Sequence, residues 1–142
     1  MSQASDYLEG QIRAHIFRTA SFTKPSVLAI ALCTAAPVDA DTGALTGKEV
    51  ANAGAYARQT LNPLDANWTA ASATDGLTDN ASAITFPTAT AAWGTVTHVA
   101  ICDSATFGAG NLLFFGTLTT PKTVGIGDIF KFNIGDLDVT VA

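Results

Sequence analysis

Ile84 to Asp103 reads ITFPTATAAWGTVTHVAICD, and this stretch decides the fold. Ile84 to Phe86 is a short run of β-formers, and Pro87, which lacks the amide proton a ladder needs, closes it. Small residues then lead to Trp93-Gly94, after which Val96 to Cys102 alternates. With the two-residue period of a strand, Val96, His98, Ala100 and Cys102 point to one face, and Thr97, Val99 and Ile101 to the other. Two strands and their connection are legible, with no helical spacing between them.

Downstream, the same grammar continues in NLLFFGTLTTPKTVGIGD from Asn111 to Asp128. Leu112 to Leu118 is apolar on both faces, as a central strand is. Phe130, Phe132 and Ile134 alternate with Lys131 and Asn133, the pattern of a strand with one wet face, and Leu137, Val139 and Val141 alternate with Asp138 and Thr140. Gly135-Asp136 between them predicts a hairpin-like turn. Upstream, Tyr56 to Leu61 predicts a strand with Tyr56, Arg58 and Thr60 on one face, stopped by Asn62-Pro63. Val27 to Thr34 predicts a doubly buried strand that ends at Ala35-Ala36-Pro37. The aperiodic segments Val38 to Gly54 and Asp65 to Ser82 read as long loops of the contact-making kind, with Trp68 as a large anchor over one end of the core.

Only the N-terminus is helical in pattern. Leu8, Ile12, His15 and Ile16 recur at i, i+4, i+7 and i+8, predicting a helix from Tyr7 to Arg18 with Asp6 as its cap and Glu9 reaching back to it. Gly10 weakens this helix in isolation, so packing of its apolar stripe must hold it. The expected architecture is mainly β: an antiparallel β-sandwich, jelly-roll-like or immunoglobulin-like, with one N-terminal α-helix. Residues 1–24 form the helical segment and residues 25–142 the sandwich domain.

Composition narrows the function classes. Charged residues make up 13% of the chain, against about 25% in an ordinary domain, which suits either a small β-protein whose surface is polar through Thr, Ser and Asn or a surface largely covered by neighbouring subunits. The net charge of −5 and the isolation of Lys48, Arg58, Lys122 and Lys131 among acids argue against direct nucleic-acid binding, which needs clustered cations. The longest dense apolar run, Val27 to Cys33, falls far short of the roughly 20 residues of a spanning helix. Asp6 and Glu9 occupy the place of a signal peptide's basic region, so synthesis in the cytoplasm is expected, with no membrane partner.

No catalytic signature is present: there is no G-x-S-x-G elbow, P-loop or G-x-G-x-x-G. His98 and Cys102 share a strand face but lie four residues, about 13 Å, apart, too far for one zinc ion. Asp39 to Gly43 starts like a calcium loop, but Val50 stands where the bidentate Glu belongs. Asp136 and Asp138 face one side of a strand at a turn exit, where solvated acids are ordinary. Cys33 and Cys102 read as small core hydrophobes. Neither enzymatic activity, nor a metal, nor a cofactor is expected.

SDYLE at Ser5 to Glu9, GAYARQ at Gly54 to Gln59, FPTATAAWGTVTH, the Asp103 turn, GNLLFFGTL and TPKTVGIGD together resemble small virion proteins of tailed bacteriophages, labelled tail-fibre-like or head decoration proteins. The resemblance spans most of the chain. It implies a non-enzymatic structural protein of the virion, favoured as a capsid decoration or cement protein bound to the major capsid protein. The alternative is a tail fibre or tail-tip accessory protein engaged in host attachment. It further implies a homo-oligomer, with a trimer as the expected state. Leu8, Ile12 and Ile16 on the helix, with Trp68 and Trp93, are the interface candidates.

Overall fold

A computed structural model describes residues 2–71 and 74–141. In chain order the elements are β1 (Ser2–Ala4), α1 (Asp6–Phe17), β2 (Ala29–Cys33), β3 (Gln59–Thr60), β4 (Leu77–Asp79), β5 (Ile84–Thr85), β6 (Gly94–Cys102), β7 (Leu112–Val124), β8 (Lys131–Phe132) and β9 (Asp138–Thr140). Five strands form an antiparallel sheet in the order β1-β7-β6-β2-β3, and two ribbons, β4–β9 and β5–β8, stand apart from it. The expectation of a mainly β, antiparallel fold with one N-terminal helix is borne out, and the sheets are sandwich-like with no closed barrel.

Alternation along β2 and β6 sorts the core into two compartments. Ile30 and Leu32, paired with Ile101 and Val99, meet Tyr56, Phe86, Phe130 and Phe132 on the face the ribbons cover. Ring contacts knit this side, with Tyr56 edge-on to Trp93 at 5.4 Å and Phe86 edge-on to Phe130 at 5.8 Å. The opposite face carries Ala31, Cys33, Ala100 and Cys102, whose small side chains leave room for Leu45, Leu112 and Phe115. A strand buried on both sides, as β2 is along its whole length, must be apolar at every position.

Several expectations are corrected. Val96 belongs with Val99 and Ile101, not with Ala100 and Cys102. Its partner is Lys122 whereas His98 pairs with Thr117, so β7 accommodates extra residues between Thr117 and Lys122, the ladder is irregular there, and strict alternation along β6 does not carry across His98. β7 consequently runs well past Leu118, where the sequence pattern stopped it. The turn at Gly135-Asp136 forms, with the Asp136 amide donating to the Asn133 carbonyl at 3.1 Å, but it joins no hairpin. β8 pairs with β5 and β9 with β4, and Ile134 and Val141 stay exposed. Buried Asn80 redirects the chain there, donating from Nδ2 to the Ser82 and Asn133 carbonyls and accepting from the Leu137 amide, each at 2.8 Å.

The segment from Asp65 to Ser82 contains β4, and the expected strand from Tyr56 to Leu61 shrinks to β3. At the N-terminus, β1 pairs with β7, and Ser5 replaces Asp6 as the helix cap. Ser5 is fully buried; its amide donates to the Leu113 carbonyl at 2.9 Å, its hydroxyl donates to the Leu112 carbonyl, and the same oxygen accepts from the Leu8 amide at 3.3 Å. Pinned to β7 in this way, it reaches the first helical turn better than the exposed Asp6.

Candidate functional site

The two long connections differ in what they do. The segment between β2 and β3 folds back on the main sheet: the Val50 amide donates to the Leu32 carbonyl at 2.9 Å, and the Thr34 amide donates to the Lys48 carbonyl at 2.8 Å. Glu49 thereby comes beside Cys33 with its carboxylate inside the protein. Arg58 meets it with a two-pronged contact, Nε to Oε1 at 2.8 Å and Nη2 to Oε2 at 2.7 Å. Both side chains are sealed, at 0% and 1% exposure.

The remaining guanidinium protons tie three segments together. Nη1 donates to the Ser104 and Ala109 carbonyls, both at 3.0 Å, and Nη2 donates to the Gly43 carbonyl. Gly43 must be glycine here, because a Cβ would stand 2.3 Å from the Ala109 carbonyl oxygen. Tyr56 completes the cluster, donating to Glu49 Oε1 at 2.8 Å while its oxygen accepts from the Leu32 amide at 3.0 Å. Burial pulls hardest, and against the Arg58 charge, but the Glu49 hydrogen bonds together with the charges of Glu49 and its other neighbours more than offset it and hold the guanidinium above its ordinary value. Burial and the nearby Glu49 push the Tyr56 hydroxyl far up. With no access from solvent, this cluster organises loops and offers no surface for a substrate. Sequence reasoning treated Arg58 as an isolated cation; its place on one strand face with Tyr56 was the available signal.

The interface candidates spread over distinct environments. Leu8 is the buried helix residue, Ile12 is half-buried, and Ile16 is 62% exposed. Phe17, at the end of α1, is 80% exposed, a position sequence reasoning did not single out. Trp93 lies in the core, its indole donating to the Gly54 carbonyl at 2.8 Å. Trp68 is half-buried, donates to the Leu61 carbonyl at 3.0 Å, and turns its ring into an open groove of about 820 Å³. Leu28, Leu64, Phe114, Val139 and Val141 give the groove its apolar lining.

Chemistry-bearing groups are dispersed. Cys33 and Cys102 are free and buried, and since Cys33 pairs with His98 and Cys102 with Ala29, they lie about four residues, or 13 Å, apart along the ladder, beyond disulfide reach. Burial first, then the Glu49 charge, pushes the Cys33 thiol far up, and burial pushes Cys102 up to about 12. Burial also lowers the pKa of His98, whose Nδ1 lies 2.8 Å from the Thr97 hydroxyl. Asp79 stands opposite Asp138 in the β4–β9 ladder. Among the described residues, no cluster of three or more His, Cys, Asp or Glu could hold a metal ion, and no helix is long and apolar enough to cross a membrane.

Over residues 3–140 the chain matches the family described as Podophage GP4 fiber I protein gp80. No curated protein matches it.

Proposed function

The chain belongs to the podophage GP4 fiber I protein gp80 family of phage virion proteins, and on that premise we propose that it is a non-enzymatic subunit of a fibre on the phage tail. The match across nearly the whole chain carries this reading, and the structure is compatible with it. The most elaborate polar cluster is sealed inside the fold, whereas apolar side chains, Ile16, Phe17, Leu64 and Val141 among them, remain at the surface. Such an arrangement suits a protein that works by contact, with the sheets, β1 included, as the scaffold and the exposed end of α1 as a docking element. Its partners are other virion proteins, with tail components foremost, and it functions as a homo-oligomer.

A second reading is a decoration or cement protein on the capsid, bound to the major capsid protein. The absence of heptads and of collagen-like repeats favours it, because the sequence contains neither of the usual devices for an elongated shaft. A cement protein stabilises the shell by binding its assembled state alone, and many weak contacts suffice.

Particles lacking the protein separate the two. Under the fibre reading they assemble, release DNA at the same temperature as intact particles, and fail to adsorb to host cells. Early thermal rupture with normal adsorption would reject the fibre role in favour of cement.

A further inference from the structure

Phe17 and the groove beside Trp68 are complementary features of one chain that the described residues leave unmatched. Phe17 is the most exposed of the large apolar side chains among the described residues, and Ile16 beside it is also out in solvent. The helix half that presents them is basic, carrying Arg13, His15 and Arg18. The groove is lined by Leu28, Trp68, Phe114 and Val139, with exposed Leu64 and Val141 at its margin, and neither Ile16 nor Phe17 lines it.

Charge follows the same division. Asp65 stands on the groove margin, and from Gln59 to Pro121 the chain contains no Lys or Arg at all. Lys24, the cation at the groove, donates to the Pro63 carbonyl at 3.0 Å. Among the described residues, neither Arg18 nor Asp65 takes part in an ion pair. Among the described residues, an unpaired cation beside an exposed aromatic is thus the complement of an unpaired acid beside an apolar groove that none of them fills.

We propose that the end of α1 in one copy of this chain docks into the Trp68 groove of a second copy, with Phe17 as the buried anchor and Arg18 paired to Asp65. The contact is heterologous: each copy presents an anchor to one neighbour and a groove to the other, so repetition yields a closed ring or an open chain of subunits. A buried aromatic anchor supplies affinity, while the margin charges set orientation and make association salt-sensitive. This assembly is a property of the purified protein, independent of whether it sits on tail or head.

Sedimentation of the purified protein tests it. Wild type should exceed the 14.6 kDa monomer mass, and raised salt should weaken it. Phe17→Asp and Leu64→Asp, both at exposed positions, should each weaken association at least about thirtyfold while melting as wild type does. An equimolar mixture of these two variants should form dimers and nothing larger, since one intact anchor and one intact groove remain. Arg18→Asp should weaken assembly, and adding Asp65→Arg should restore it. A wild type that stays monomeric at its highest soluble concentration would overturn the proposal and leave the groove to a different virion protein. Assembly that survives both Phe17→Asp and Leu64→Asp would overturn it as well.

Discussion

Replacing Arg58 with Ala removes one side chain and five hydrogen bonds to buried or partly buried acceptors. The Glu49 carboxylate, 1% exposed, loses both of its guanidinium hydrogen bonds, and the carbonyls of Gly43, Ser104 and Ala109 lose their charged donor. Breaking a buried ion pair by deleting one partner costs about 3–5 kcal/mol, because an uncompensated charge is left inside. That is a large fraction of the roughly 5–15 kcal/mol that holds a typical domain together. At about 2–4 °C per kcal/mol for a chain near this length, the melting temperature should fall by about 6–20 °C. Arg58→Lys should fall between, since an ammonium keeps the charge but cannot make the forked contact and reach three carbonyls at once.

Calorimetry of Glu49→Leu, of Arg58→Met and of the double variant Glu49→Leu/Arg58→Met completes a cycle. The double variant should be less destabilised than Arg58→Ala, because no buried charge remains, even though the Tyr56 hydroxyl and the loop carbonyls still lose partners. Melting of Arg58→Ala within a couple of degrees of wild type, or strictly additive single effects, would refute the assignment of this pair as the clasp between the loops.

Asp79 provides a pH-dependent counterpart: burial, then Asp138 and Asp75, raise its pKa above the usual carboxylate value. A raised acid binds its proton more tightly folded than unfolded, so stability should increase as pH falls through that raised value, the gain being complete below about 3.9. Asp138→Asn, which removes the facing charge, should stabilise the protein at neutral pH by about 0.2–1 kcal/mol and flatten the acid limb of a melting-versus-pH series; a destabilised variant would contradict the like-charge reading. Cys33 and Cys102, both fully buried with raised pKa values, should resist a disulfide reagent at pH 8 in the native state and react with two equivalents after unfolding. Rapid labelling of either thiol in the folded protein would show that the small-residue face of the sheet opens.

The sequence by itself determined those features whose cause is local. Period-two alternation and unbroken apolar runs located β2 and most of β6, and the 3.6-residue spacing located α1, because facing along one segment follows from backbone geometry alone. The phrases shared with phage virion proteins likewise needed no coordinates, and the family match bears that resemblance out. Tertiary structure decided whatever depends on which segment lies opposite. Val96 looks like a partner of Ala100, but the β6–β7 ladder is irregular between Val96 and His98, and that irregularity exists only once the two strands pair. The pairings β5–β8 and β4–β9 defeat an apparent hairpin at Gly135, since Asn80, far away in sequence, captures that turn. Trp93 and Arg58 read as surface or isolated residues because their burial depends on the Gly54 carbonyl and the Glu49 carboxylate, and only the returning segment after β2 brings those acceptors within reach. A hydrogen-bond partner chosen across the fold leaves no periodicity in the chain, which is why the core's strands were legible and its ionic clasp was not.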